Sequence, residues 1–129
     1  MWIELGAGIA INSIIGGLWY SPMMFAKPFL STRVSKKEAK MEGWMLLASL
    51  ILGAFECFGL IYALEMAGVK AGDSVNGAKY GYLLWQFFVF PTITVHYIFD
   101  PRPLVSLLVI LGHHLTSLVI EGALIALLK

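Results

Sequence analysis

Four long apolar runs divide this chain, and each is long enough to cross a bilayer as a helix. They extend approximately over residues 2–20, 43–66, 80–99 and 104–128. A helix of about 20 apolar residues covers the roughly 30 Å of hydrocarbon in a membrane, whereas barrel strands are shorter and alternate polar with apolar residues. The runs therefore predict an all-α fold, in which residues 1–129 form one integral membrane domain with a bundle of four transmembrane helices.

The composition excludes several classes of protein. The chain is 59% hydrophobic and only 13% charged, whereas soluble domains carry about 25% charged residues. Its 9 basic and 8 acidic residues nearly balance, so no electrostatic field gathers nucleic acid, and we expect no nucleic-acid partner. Its single cysteine, Cys57, cannot form an internal disulfide. The expected surroundings are the lipid bilayer.

The connections between the runs indicate how the helices are arranged. Residues 21–42 form the longest polar connection, and part of it predicts a short interfacial helix capped near Ser35. Residues 67–79 are rich in glycine and are predicted to form a loop. The prolines in "DPRP", residues 100–103, prevent one helix from continuing, so the third and fourth helices are expected to form an antiparallel hairpin.

The basic residues predict an orientation in the membrane. The connections at 21–42 and 100–103 share one side and hold six lysines and arginines, whereas the opposite side holds three, Lys70, Lys79 and Lys129. Cytoplasmic connections carry the excess of basic residues in membrane proteins. We therefore expect residues 21–42 in the cytoplasm and both termini outside.

The stretch "GGLWYSPMMFAKPF", residues 16–29, follows the first apolar run directly. Trp and Tyr are enriched where a helix meets the headgroups, proline ends a helix, and lysine reaches lipid phosphates. The stretch is therefore interpreted as an interfacial motif, with Ser13 and Gly17 forming a small-residue face that another helix can approach. The motif comprises Trp19, Tyr20, Ser21, Pro22, Phe25 and Lys27.

These residues carry a resemblance to a known family. The segments "LWYSPMMFAKPF", "DPRPL", "GHHL" and "EGALIALL", placed among four spans, resemble domain-of-unknown-function family 1761 over essentially the whole chain. Its signature is W-Y-S-P-x-x-F-G-K-x-W, and this chain departs from it at Ala26 and Phe29. The resemblance implies a small bacterial four-helix membrane protein, here expected in the inner membrane. It implies no mechanism.

Mechanism must come from polar side chains within the spans. A charged group at the bilayer centre costs about 2.5–3.5 kcal/mol on insertion scales, so such residues need a reason to be there. Each helix offers at least one polar group at similar depth, which predicts a central polar layer. The candidates are Asn12 in the first helix, Glu56 in the second, Gln86 in the third, and His113, His114 and Glu121 in the fourth.

The fourth helix concentrates these groups on one face. His114, Ser117 and Glu121 have i, i+3, i+7 spacing, and His113 joins them through Ser117 at i+4. Two interpretations remain open. The polar faces could hydrogen-bond one another and act as a non-transporting scaffold or interaction subunit. Alternatively, they could line a proton or small-ion path, with Glu56 and the His113/His114 pair as its titrating part.

Other chemistries fit the pattern less well. Adjacent histidines on a helix point about 100° apart, which disfavours a shared metal, and His96 lies too near the end of its helix for a level haem pair. One helix face bearing Ser117, His114 and Glu121 cannot enclose a substrate, so we expect no enzyme and no cofactor. Pro91 predicts a kink beside Gln86. Four helices enclose little volume, and we expect a homo-oligomer.

Overall fold

The computed structural model describes residues 1–21, 23–25 and 43–129. Four helices cover most of this part: α1 (Trp2–Trp19), α2 (Gly43–Met66), α3 (Ser74–Phe99) and α4 (Leu104–Leu128). All four are long and apolar enough to span a membrane, which confirms the predicted fold class. The interfacial helix expected near Ser35 lies outside the described residues, as do Pro22 and Lys27.

The helices alternate in direction, so the bundle has two distinct ends. At one end, which we call the terminal end, the Gly72 amide donates to the Ala126 carbonyl (2.8 Å) and Lys129 Nζ donates to the Val69 carbonyl (3.0 Å). These bonds tie the α2–α3 turn to the end of α4. At the other end, the loop end, α1 finishes beside the start of α4, and α3 turns into α4.

The third helix begins at Ser74, whereas the sequence analysis placed its start at Tyr80 and assigned residues 67–79 to a loop. The difference arises from a helix cap. The Asp73 carboxylate accepts hydrogen bonds from the Asn76 amide (3.1 Å) and from the Asn76 side chain (2.7 Å). An acceptor at this position satisfies an amide that has no partner within the helix. Only the turn before it, with positive φ at Gly68 and Gly72, remains non-helical.

A π-helical segment, Trp85–Val89, interrupts α3 where the sequence predicted a kink. The amide of Phe90 donates to the carbonyl of Trp85, five residues earlier, and α-helix resumes over Phe90–Phe99 with Pro91 in its first turn. Proline lacks an amide hydrogen and its ring clashes with the carbonyl four residues before it. A wider turn ahead of Pro91, with Gln86 inside it, relieves that clash.

Helix α4 lies at the centre of the bundle, and α3 packs against it backbone to backbone. A Cβ atom added to Gly77 would collide with the Gly122 carbonyl oxygen, and one added to Gly81 would collide with the Leu118 carbonyl oxygen. Glycines at the contact let two helices approach this closely. Helix α1 packs on another side of α4, α2 packs mainly on α1, and α2 and α3 contact each other sparsely.

An apolar core closes the terminal end of the bundle. It joins α2, the α2–α3 turn and α4, and its members are nearly inaccessible to solvent: Leu60, Ile61, Leu64, Val69, Leu118, Ile125 and Ala126. Close to it, Gly8 of α1 lies against Cys57 of α2, so tightly that an added Cβ would stand 2.9 Å from the Cys57 sulfur. The bundle is therefore filled at this end.

Candidate functional site

A buried carboxyl group, Glu121, lies between α4 and α2. Glu121 has 0% of its surface exposed, and the Cys57 thiol donates to its Oε2 atom at 3.5 Å. Its other oxygen, Oε1, has no hydrogen-bond partner among the described residues. An acid that is fully enclosed and only half satisfied costs stability, so it is a candidate for function.

A second carboxyl group, Glu56 on α2, lies close enough to Glu121 for their charges to interact. Asn12 of α1 connects the two. Its Nδ2 atom donates to Glu56 Oε2 at 3.4 Å, and its side chain also interacts with Glu121. Gly53 provides the space for Asn12, since a Cβ there would stand 3.7 Å from Asn12 Nδ2. Three helices thus meet at one polar cluster, which we call the carboxyl cluster: Asn12, Glu56, Cys57 and Glu121.

The histidines lie apart from this cluster, nearer the loop end. The ring of His113 is 5.2 Å from that of Tyr20, 6.2 Å from that of Trp19 and 5.1 Å from that of His114, between ring centres. The expected pairing of Glu56 with a histidine is not formed. His113 precedes Glu121 by eight residues, which is about 12 Å along the helix axis. The partner that the structure supplies for Glu56 is Asn12 of α1.

A line of unsatisfied polar atoms connects the two regions. His113 Nε2, Ser117 Oγ and Glu121 Oε1 are all buried, and within the described ranges none has a hydrogen-bond partner. They follow one another at i, i+4 and i+8, so they occupy the same face of α4. Ser117 is 1% exposed. The predicted polar face of α4 therefore exists and points into the protein.

Helix α1 covers this line with small residues. Gly16 faces His113, because a Cβ there would stand 3.6 Å from His113 Nε2, while Asn12 faces Glu121 and Gly8 faces Ile125. These three positions of α1 also repeat every four residues, and the two helices run antiparallel. We call the contact between Gly16–Asn12 of α1 and His113–Ser117–Glu121 of α4 the polar seam.

Gln86 does not belong to the seam. Its side-chain oxygen accepts a hydrogen bond from the Tyr82 hydroxyl at 3.2 Å, within α3 itself, and Tyr82 is exposed. The prediction that all four helices contribute to one polar layer is therefore wrong for α3. The reason is the backbone contact at Gly77 and Gly81, which turns the glycine face of α3 towards α4 and leaves the Tyr82 side outward.

The interfacial motif is partly integrated into the bundle. The Trp19 indole donates to the Val109 carbonyl at 2.9 Å, and its ring centre is 4.7 Å from that of Phe25. Ser21 Oγ donates to the Leu18 carbonyl at 2.6 Å, which caps the end of α1. Sequence reasoning missed this contact, although Gly112, directly before the two histidines, was a signal. A Cβ there would stand 3.0 Å from the Trp19 ring.

Metal binding finds little support in the geometry. In the part of the chain that the structure describes, no three His, Cys, Asp or Glu side chains lie close enough to hold a metal ion. Surface clefts lie away from the seam. One of about 150 Å³ at the α3–α4 turn includes His96 and Arg102 in its lining. The seam is an internal feature and does not form part of these clefts.

Four helices that are each long and apolar enough to span a membrane, and that enclose a polar cluster, are typical of a small helical membrane protein. The chain belongs to the family described as "Protein of unknown function (DUF1761)", whose model matches residues 3–126. Neither the curated proteins nor the solved structures contain a match to this chain.

Proposed function

We propose that this protein is a proton-coupled membrane transporter for a small ion or solute, and that the carboxyl cluster is its proton-binding site. The observation that carries the proposal is Glu121. It is fully buried, it interacts with a second acid, Glu56, and one of its oxygens has no partner in residues 1–21, 23–25 and 43–129. Ionisable residues inside membrane bundles are costly, and they mark ion and proton pathways.

Two interacting acids are suited to exchange a proton. When two carboxyl groups share one site, ionisation of the first disfavours ionisation of the second, so the pair takes up and releases protons in separate steps. Asn12 can donate to whichever carboxylate is ionised, since its side chain interacts with both. Binding of a cation or a polar solute beside the pair would then be linked to proton release.

The closed terminal end favours a transporter over an open pore. Ile125 and Leu64 are 0% exposed and lie in the apolar core at that end. Ions and water do not cross a packed apolar layer without a rearrangement. The protein therefore has to open this end for release, which is alternating access and not continuous conduction.

A second candidate function is that of a scaffold or interaction subunit. It is favoured by the bonds that the polar groups make between helices. Asn12 to Glu56 joins α1 with α2, and Cys57 to Glu121 joins α2 with α4. Such interhelical hydrogen bonds stabilise membrane bundles by about 0.6 kcal/mol on average. In this alternative, the carboxyl cluster holds the helices together and transports nothing.

The setting of the protein is part of the proposal. We place it in a bacterial inner membrane, with residues 21–42 in the cytoplasm and both termini outside, on the asymmetry of basic residues. We also propose a homo-oligomer. Its support is the outer face of α1, where nothing among the described residues lies within 4 Å of the Cβ position at Gly6 or Gly17. Open glycines on a spanning helix allow close approach of another helix.

The test is flux in liposomes that contain the purified protein. Glu121→Gln preserves the shape of a protonated acid and the acceptor for Cys57, but it cannot release a proton. We expect it to abolish pH-driven flux, surveyed over protons, sodium, potassium and small neutral solutes, while folding is retained. Glu65→Gln is the matched control, because Glu65 is an exposed acid of α2. Full flux in Glu121→Gln, or no flux in the wild type, would favour the scaffold.

A further inference from the structure

We infer that the polar seam is a one-sided water path, which leads from the loop end of the bundle to Glu121 and stops there. The inference rests on the proposed function only for its physiological purpose, which is to deliver protons to the carboxyl cluster. The path itself follows from the spacing and burial of three side chains, His113, Ser117 and Glu121, and it can be tested without any measurement of transport.

The spacing of the seam matches the dimensions of hydrogen-bonded water. Successive members are four residues apart, which is about 6 Å along the helix axis. That is too far for a direct hydrogen bond of about 2.7–3.2 Å. One bridging water, with a bond of about 2.8 Å on each side, spans this distance. Of the four buried side-chain atoms that lack a hydrogen-bond partner in the described part of the chain, three lie on this face of α4, His113 Nε2, Ser117 Oγ and Glu121 Oε1, and the fourth, Thr94 Oγ1, lies on α3.

The burial of these atoms makes bridging water energetically favourable. An unsatisfied polar group in a low-dielectric interior costs about 1–3 kcal/mol, and buried waters typically satisfy such groups by making about three hydrogen bonds each. Here three such atoms lie on one helix face, and the facing position of α1 at His113 is Gly16, which contributes no side chain to the contact. The seam therefore offers the polar partners that bridging water requires, and the smallest residue on the facing helix.

The two ends of the seam differ. Beyond Glu121, Ile125 and Ala126 are both 0% exposed, and Gly8 packs tightly against Cys57. These contacts interrupt the path with apolar side chains, and the buried acid farther along α1, Glu4, is paired with the N-terminal amine. At the loop end, His113 and His114 are only partly buried, beside the partly exposed ring of Tyr20. Water therefore enters from the loop end.

The native Cys57 serves as a reporter at the closed end of the path. It is the only cysteine of the chain, it is 0% exposed, and its thiol contacts Glu121. Silver ion, which is small enough to follow a file of water, replaces the thiol proton, forms a silver–sulfur bond and releases the proton. We propose adding silver nitrate, in chloride-free buffer, to membrane vesicles of known sidedness. A C-terminal epitope tag identifies the face that carries the termini.

The readout is the fraction of Cys57 that still reacts with a maleimide after the membranes are dissolved and the protein is denatured. We expect silver added at the loop end to block Cys57 at least tenfold faster than silver added at the terminal end. A bulky, charged methanethiosulfonate should not react from either side, since a single file of water excludes it. Equal silver rates from both sides, or no blocking from the loop end, would overturn the inference.

Two variants link silver entry to the seam. Ser117→Leu places an apolar side chain in the path and should slow entry from the loop end at least tenfold. Ser117→Ala removes the hydroxyl without adding bulk, so it should fold even if Ser117→Leu does not, and should slow entry severalfold. Ser13→Ala is the matched control, because Ser13 is exposed and its hydroxyl bonds to its own helix at Ile9. Unchanged entry in Ser117→Ala would remove Ser117 from the path.

The outcomes separate this inference from the proposed function. One-sided silver entry together with unaltered flux in Glu121→Gln would leave the water path standing and refute the proton site. Loss of flux in Glu121→Gln together with equal silver entry from both sides would support the proton site and refute the water path. Neither result depends on the other measurement.

Discussion

The indole of Trp19 donates a 2.9 Å hydrogen bond to the backbone carbonyl of Val109, which fastens the end of α1 to the beginning of α4. Trp85 of α3 makes the equivalent bond at 3.0 Å to the carbonyl of Leu111, two residues along the same helix. A carbonyl oxygen has a second lone pair, so each can accept an indole in addition to its helical partner. Two tryptophans, one from α1 and one from α3, are therefore bonded to the backbone of α4 just before His113.

We predict that Trp19→Phe destabilises the protein by about 1 kcal/mol, because the substitution removes one hydrogen bond and keeps most of the ring packing. Trp19→Ala should cost clearly more, since it also removes the contact with Phe25 and empties the space beside Gly112. Unfolding of the purified protein by added SDS measures both. Trp2→Phe is the control, because Trp2 is 82% exposed. A Trp19→Phe effect equal to that of Trp2→Phe would contradict the role of the bond.

The glycine contact between α3 and α4 gives a second prediction. Gly81→Ala would bring a methyl group against the Leu118 carbonyl, so the helices must separate, and overpacking of this kind costs about 1–3 kcal/mol. Gly59→Ala is the matched control, because Gly59 of α2 is exposed and has open space at its Cβ position. The same SDS titration should show a large loss for Gly81→Ala and little change for Gly59→Ala. Similar stability of the two variants would mean that α3 and α4 are not in backbone contact.

The Asp73 cap predicts a pH dependence at the start of α3. Hydrogen bonds from Asn76 hold the pKa of the Asp73 carboxyl below its usual value. The cap therefore stabilises α3 at every pH above the pKa of the unfolded carboxyl, and this contribution is lost as the pH falls through the lowered folded pKa. NMR should show the Asn76 amide signal moving during acid titration. Asp73→Asn should abolish this movement, because asparagine caps a helix without titrating.

Orientation is tested by labelling of introduced cysteines. In a Cys57→Ala background, a membrane-impermeant thiol reagent applied outside intact cells should label Ser74→Cys and leave Ser35→Cys unlabelled, because the excess of basic residues in 21–42 and 100–103 predicts that residues 21–42 are cytoplasmic. Labelling of both positions after permeabilisation is the control. The opposite pattern in intact cells would invert the orientation and leave the four spans as they are.

Much of the architecture could be predicted from local properties of the sequence. Span length and apolarity depend on consecutive residues, so α2 and α4 begin and end where the sequence predicted. The polar face of α4 was also predictable, because helical periodicity alone places His113, Ser117 and Glu121 together. The beginning of α3 was harder to predict, since it depends on a single capping side chain, Asp73.

The arrangement of the site depends on contacts between helices, which periodicity does not specify. Glu56 was predicted to be the acid of the titrating site, together with the His113/His114 pair, yet Glu121 is the more buried acid, because α4 and not α2 lies at the centre of the bundle. Gly77 and Gly81 form a small-xxx-small pattern that indicates a close helix contact. This pattern would have predicted that α3 packs against α4 through its glycines and that Gln86 lies away from the carboxyl cluster.

The backbone contact at Gly77 and Gly122 also limits how the bundle can move. Sliding either helix would drive a backbone carbonyl into the neighbouring helix, so we expect α3 and α4 to move together as one rigid unit, the α3–α4 plate. Helix α1 is joined to that plate by side chains, through the Trp19 indole and Asn12, and such contacts can break and re-form. A rocking motion would therefore hinge α1 and α2 away from the plate, and the first surface to part is the one that faces Glu121.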